Sequence, residues 1–504
     1  MKKPVISRAH AVPGNEVRSN ERGITMALVA VAMVAIVAMA ALSIDVVTLY
    51  LDREEAQRSA DEAALAAARV LAVSGITGDP SNKSGDWGQV CGPGGTATLA
   101  AQAVVGQNTV ANSVPGTINV SYSAGTGSVG SITSNADCQT LTSTAFGSNP
   151  LVTVKVTRAG LPTFFSRIWG NTSNSVSATA TAEAYNPSGT VGNETSGTIT
   201  PVQPTCVKPW VVPNRDPLNP APKPFCTATG CATLVSATDG SITNPGISLQ
   251  GTGATGVIGE TFTLVSDCQK NGGNCTLRRD KGVTVPPQAN FSNGTGNIPQ
   301  PPNLLYVPGL VAGTPTAVPT CSGAEAYEQA ITGCDQPTNY QCGVQNANVV
   351  DLGINPNQAT ANGVQCLTNQ SNSGDVTAPT GQDYLQYDTT FGDPSVYPFQ
   401  ILAGSGNPMT GAGLAAGTPI TGSASIVSLP IYDDQQAGLT INSGAQTNVT
   451  FVGFLQVFID AVDGKGNVMV TVLNVSGCSN GLGGNVGTPI PGTSPVPVRL
   501  ITPP

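Results

Sequence analysis

ITMALVAVAMVAIVAMAALSI, residues 24–44, is an uninterrupted apolar run that follows Glu21-Arg22-Gly23 and ends at Asp45. At about 1.5 Å per residue a helix of this length spans roughly 30 Å, the thickness of a bilayer's hydrocarbon core, so the run is long enough to cross a membrane alone. No later stretch of the chain matches it. The first 23 residues carry Lys2, Lys3, Arg8, Arg18 and Arg22 against Glu16 and Glu21, which predicts a cytoplasmic N-terminal tail and an exported remainder. Ala38-Met39-Ala40 has the spacing of a signal-peptide cleavage site. The long basic tail and long apolar run favour an uncleaved anchor, and either reading exports the bulk of the chain.

Composition bounds that bulk. Charged residues are 10% and aromatics 5% of 504, while Gly (59) and Pro (39) make up near a fifth. Many turns and little charge, with 40% hydrophobic residues, predict β-rich cores joined by loops. A net charge of −9 with no Lys/Arg cluster beyond the tail argues against a nucleic-acid partner. All 12 cysteines lie after the apolar run, as expected of disulfides formed in an oxidising compartment. Cys226/Cys231, Cys268/Cys275 and Cys334/Cys342 are the close pairs and the expected local bridges, although spacing does not fix connectivity. Zinc is disfavoured, since no C-x-x-C occurs and the single histidine, His10, is in the tail.

The same histidine count removes Ser-His-Asp, Cys-His and imidazole-base chemistry from the exported region. Asp433-Asp434 and Asp460/Asp463 are the closest carboxylate pairs. Asp463-Gly464-Lys465-Gly466-Asn467 lies between two strand-like runs and reads as a hairpin turn, with too few oxygen ligands beside Asp460 for a calcium loop. Asp239, Ser241 and Thr243 have the D-x-S-x-T spacing of a metal-ion adhesion site, but the preceding TLVSAT lacks the apolar strand such a site caps. No phosphate loop or dinucleotide fingerprint is present, and no metal, cofactor or catalytic residue is expected.

Residues 45–72, DVVTLYLDREEAQRSADEAALAAARVLA, contain neither Gly nor Pro and should continue the helix outward. Leu49, Ala56, Ala60, Ala63, Ala67 and Val70 fall at spacings that place them on one narrow seam of small residues. Such a seam serves either packing against the chain's own exported domain or close approach of a second helix. Beyond Ser74, LVTVKVTRAG (151–160) and SVSATATAEAY (175–185) alternate as paired strands. LPTFFSRIWG (161–170) gathers Phe164, Phe165, Ile168 and Trp169 in a turn expected to plug the core.

The basic tail, Arg22-Gly23 before the apolar helix, the exit through Asp45 and Leu49-Tyr50-Leu51, and QRSADEAALAAARVLA resemble the N-terminal module of the TadE/TadG-like proteins of Flp (tight adherence) pilus assembly. The VTVKVTR, LPTFFSRIWG and VSATATAEAY segments are similar to the strand, aromatic turn and strand that come next in proteins of that family. The resemblance covers residues 22–72 and 151–185. It implies a non-enzymatic, single-pass inner-membrane protein, part of or accessory to a pilus-type secretion apparatus, with other pilus-assembly proteins as partners. Gly23 fits a prepilin cleavage site, but the fifth residue after it is Leu28 where processed prepilins carry Glu, so that cut is not expected. The weak Asp239 motif likewise argues against the von Willebrand-type domain of longer members.

After the polar stretch 186–205 the chain passes CVKPWVVPN (206–214), a Pro-rich segment (284–309) and a short helix (323–334). It closes in the strongest strand signals, SIVSLPIYDD (425–434), TNVTFVGFLQVFIDAV (447–462) and NVMVTVLNVSG (467–477). The expected fold is membrane-anchored α+β: one transmembrane helix extended by an Ala-rich helix, then mainly β, loop-rich, disulfide-containing exported domains. Its expected segments are a cytoplasmic tail (1–23), the transmembrane helix (24–44), the Ala-rich helix (45–72), a first β-rich domain (73–185), a linker (186–205) and a C-terminal β-rich domain (206–504). An adhesin that binds a surface or glycan through the last of these is the alternative.

Overall fold

The computed structural model describes residues 19–80, 87–124, 149–170, 172–189, 201–218, 232–248, 256–271, 274–277, 302–313, 325–334, 340–369, 383–387, 396–478 and 489–501, with isolated positions at 138, 146–147, 198–199, 315, 338 and 485–486. The first helix, α1, runs unbroken over Ser19–Val73, 55 residues, and is roughly 80 Å long. After Gly23 it contains no Gly or Pro, so nothing interrupts its backbone ladder. It stops where Gly75 takes a left-handed φ of 78°. A side chain there would run into Ile258 and the Leu473 carbonyl. The helix end is fastened by tertiary contacts, since Asn474 Nδ2 donates to the Ala72 carbonyl and to Thr77 Oγ1, both at 2.6 Å.

Against the outer part of α1 lies an antiparallel sheet of β1 (Thr117–Ala124), β2 (Pro150–Leu161) and β3 (Asn174–Ala184), completed on the β3 side by the C-terminal strand Val498–Ile501. Alternation sets its faces: Val152, Val154 and Val156 of β2 and Ala178, Ala180 and Ala182 of β3 point to the core. The hydroxyls of Thr153 and Thr181 meet at 2.8 Å on the other side. The pairing of β2 with β3 is the one expected from their alternation.

The same region departs from a pure strand-and-loop reading. It contains the helices α2 (Trp87–Cys91) and α3 (Thr96–Gln107), the latter burying Ala97, Ala101 and Val105 against α1. The four-residue spacing of these buried positions is helical, but the Gly-rich stretch 92–95 and the threonines around it mask the signal. Of the expected core plug, Phe164 is 57% exposed and Phe165 partly buried, and the side chains of Ile168 and Trp169 lie outside the described residues; among the described aromatics Trp87, Phe146 and Tyr122 form a buried centre, with ring centroids 5.6 and 6.5 Å apart.

The C-terminal half is built on six strands that close on themselves: Gln446–Val462, Ile426–Tyr432, Trp210–Pro213, Asn303–Pro308, Thr261–Ser266 and Val468–Gly477, the last pairing back to the first. Gly343–Asp351 adds to the outer end of the 17-residue strand Gln446–Val462. Register shifts after Gln456 and Ile459 let that strand bend enough to pair on both sides. Residues along these strands alternate between two clusters. Trp210, Val212, Leu304 and Tyr306 join a core that extends to Ala56 of α1, whereas Val211 and Val307 pack with Tyr340, Phe451 and Phe454. Both faces are covered, so the strands read as continuous apolar runs.

The bridges are Cys91–Cys138, Cys206–Cys334, Cys268–Cys275 and Cys342–Cys478, and Cys366 is also disulfide-bonded. Cys268–Cys275 is the expected local pair. The expected Cys334/Cys342 bridge is corrected: each partners a distant cysteine, because the helix Ala326–Thr332 sets Cys334 against the segment before Trp210, and Cys342 leads into the strand beside Gln446–Val462. Cys226 and Cys231 lie outside the described residues.

Candidate functional site

Along α1 one helix presents two surfaces. Over residues 24–44 nearly every large side chain is exposed, Val34 at 70%, and α1 is the one helix among the described residues long and apolar enough to cross a membrane. From Ala56 onward the helix is enclosed by β2, β3 and α3.

The boundary between these surfaces is built on Asp45. Its Oδ1 accepts from the backbone N–H of Phe164 at 3.1 Å, and its Oδ2 from Phe165 at 3.0 Å and Ser166 at 2.7 Å. These donors, Ser166 foremost, hold the Asp45 carboxyl below the ordinary carboxylate range against the opposing effect of desolvation. The turn so captured, the 3₁₀ helix Ser166–Trp169 with its lead-in from Leu161, is the tip of the β2–β3 hairpin and ends at Gly170, φ 84°. One turn of sequence that looked like core is thus a loop held by a carboxylate.

In the small-residue seam, Ala56, Ala60, Ala63 and Ala67 have no exposed surface, and Leu49 and Val70 are partly buried against the same core. Within this chain the seam packs against β2, β3 and α3. Alanines on α1 meet the alanines of β3, which lets helix and sheet approach closely. Charged residues of the flanking faces fasten the same packing, with Glu55 accepting from the Ala111 N–H at 2.9 Å and Glu62 from Asn108 Nδ2 at 2.7 Å. Val46, Val47, Tyr50 and Leu51 remain exposed.

The residues singled out for chemistry resolve into structural roles. Asp239 accepts from the N–H of Ser241 at 3.0 Å and its hydroxyl at 2.7 Å, which lowers its pKa, while Thr243 Oγ1 turns to Thr233 Oγ1. Asp463 accepts from the N–H groups of Lys465 and Asn467 and from Asn467 Nδ2, holding the hairpin turn. Asp460 is bonded to the Thr471 hydroxyl at 2.7 Å, and burial raises its carboxyl to about 7. Asp434 pairs with Arg215 Nε at 2.8 Å, yet burial outweighs that cation and raises its pKa. Asp433 accepts from the Gln435 N–H. Among the described residues no three His, Cys, Asp or Glu side chains gather to hold a metal.

Two groups carry no signal in the sequence. Lys208 is buried with its Nζ on the carbonyls of Ala330 and Gly333, at 3.4 and 2.6 Å, and burial draws its pKa to about 7. Glu260 is raised to about 10 by burial beside Asp216. An open cavity of about 640 Å³ lies beside Arg69, Lys208, Gln456 and Arg499, and one of about 250 Å³ is lined by Arg69, Leu99, Tyr397 and Ile401. Neither lining contains a carboxylate or a nucleophile paired with a base.

No curated protein matches this chain, and no solved structure does. Residues 23–70, from the glycine before the apolar run through the enclosed alanine seam, match one family model, described as "Putative Flp pilus-assembly TadE/G-like". Over its exposed apolar helix and the segment that enters the domain, this chain is therefore similar to the TadE/G-like proteins of Flp pilus assembly.

Proposed function

We propose that the protein is a non-enzymatic, single-pass inner-membrane component of, or accessory to, Flp/Tad-type pilus assembly and secretion. Residues 24–44 span the membrane with the basic tail in the cytoplasm, and the β-rich bulk stands in the periplasm or outside the cell. The observation that carries this reading is the coincidence of the family match, residues 23–70, with a helix that is exposed and apolar on one side of Asp45 and locked into a domain on the other. Disulfides at Cys206–Cys334 and Cys342–Cys478 support an oxidising compartment for the bulk. Other pilus-assembly proteins bind along the Ala-rich part of α1, residues 45–72, on the faces that the domain leaves exposed.

Affinity purification of the C-terminally tagged full chain from cross-linked, solubilised membranes, with mass spectrometry of its N-terminal peptides and companions, tests this. Recovery with residues 1–44 intact beside the ATPase or platform proteins of a pilus machine is the expected result. Recovery from the medium, beginning near Ala41 and without such companions, overturns it in favour of a secreted adhesin.

A further inference from the structure

The Asp45 clamp fixes the height of a second element. Asp45 lies one residue beyond the apolar run, so the backbone amides of Phe164, Phe165 and Ser166 are pinned where α1 leaves the apolar stretch. In the pinned turn Phe164 faces outward, 57% exposed, and Pro162 and Arg167 are exposed beside it. On α1, Val46, Val47 and Tyr50 are exposed at the same level, within about 8 Å of Asp45 along the axis. An aromatic ring, a guanidinium on a long apolar stem and a tyrosine are the groups that settle at a lipid–water boundary.

We infer that the β2–β3 hairpin tip is a second membrane contact, in which Phe164 enters the boundary between headgroups and acyl chains of the leaflet that α1 leaves, and Arg167 faces the lipid phosphates. This rests on the reading of residues 24–44 as a transmembrane helix. A lone helix leaves its domain free to tilt; two contacts at one level, joined by three hydrogen bonds, fix the tilt of the sheet on the membrane.

The test places the photoreactive residue benzoylphenylalanine at position 164 of the full chain, reconstituted in vesicles of phosphatidylethanolamine and phosphatidylglycerol. The control is the same residue at Met409, which is exposed to a similar degree, 59%. Met409 follows Asn407, whose side chain bonds to Asp383; Asp383 also bonds to Ser423, next to the Gly422 that lies against Arg69. Arg69 is roughly 36 Å beyond Asp45 along α1, so Met409 stands well clear of the surface. After irradiation a covalent lipid adduct is expected on the peptide containing position 164, with none above background at 409. Insertion that resists alkaline carbonate without a lipid adduct at 164, or an adduct there to a second copy of the chain, overturns the inference and leaves the anchor intact. Release of the chain by carbonate overturns the transmembrane reading, and the inference with it.

Discussion

The two halves of α1 share a backbone and an apolar character but spend them in opposite ways. Before Asp45 large apolar residues interleaved with alanines stand exposed; after Ala56 the buried apolar residues are mostly alanines without any exposed surface. A methyl group contributes little apolar area, so the outer half gains from proximity: the helix axis comes close to β3, and valines of β2 and the aromatic centre around Trp87 fill in beside it. The inner half adds large side chains that have no cover among the described residues. Side-chain size, more than hydrophobicity, separates a helix face that packs on protein from one suited to lipid.

The strongest challenge to this contrast is Ala60→Leu with Ala67→Leu. Each substitution forces extra methylene and methyl groups into a space with none to spare, at about 1–3 kcal/mol apiece, and guanidinium unfolding of the detergent-solubilised protein should show a lowered midpoint. A wild-type midpoint would mean the seam has slack and remains open to a partner. In the inner half, Val34→Arg should leave that midpoint unchanged while opposing membrane insertion by about 2.5–3.5 kcal/mol. The fraction resistant to carbonate extraction reads this out, and a loss of domain stability instead would show that the inner half packs on protein after all.

Asp460→Asn extends the contrast from apolar to ionisable groups. Burial lifts the Asp460 carboxyl to about 7, with Thr471 as hydrogen-bond donor pulling the other way. The folded protein therefore keeps a proton that the unfolded chain surrenders near its ordinary value of 3.8. The associated stability is present in full below about 4, declines as pH rises towards about 7 and is level above that. Glu260, raised to about 10, adds a decline of the same sign. Thermal unfolding across this range should give a shallower decline for Asp460→Asn than for the wild type; identical slopes would exclude a buried neutral carboxyl. The smallest effect is expected of Asp45→Asn, which removes one charged acceptor at the junction of the two halves. Amide exchange of Phe164, Phe165 and Ser166 should quicken with the global midpoint unchanged, and unaltered protection at these three would show that the turn holds itself.

Much of α1 is legible in the sequence because it depends on neighbours along the chain. Twenty-one residues, apolar except for Thr25 and Ser43 and without Gly or Pro, then a Gly- and Pro-free stretch to Val73, specify a helix whatever surrounds them. The strands Pro150–Leu161, Asn174–Ala184, Ile426–Tyr432, Gln446–Val462 and Val468–Gly477 are legible for the same reason, through alternation or continuous apolarity. The bridge Cys268–Cys275 spans only 7 residues and is expected from proximity. Cys206–Cys334 and Cys342–Cys478, at separations of 128 and 136, are not, because contacts of that range depend on how the intervening strands close. The helix Thr96–Gln107 is hidden by its Gly and Thr surroundings, and the turn at Phe164 misleads because aromatic content signals burial only when a neighbour supplies the cover.

Local chemistry alone settled that the chain begins with a helix of spanning length, that its extension carries a seam of small residues, that strands come after it, and that imidazole chemistry is absent beyond the tail. What covers the seam was decided only in three dimensions. There Ala178, Ala180 and Ala182 close over α1, Asn474 reaches back 402 residues to the carbonyl of Ala72, the C-terminal strand Val498–Ile501 joins β3, and Asp45 captures a turn 119 to 121 residues away. A periodic pattern says that a face will be buried; which surface buries it depends on hydrogen bonds and shape between segments that sequence distance does not relate.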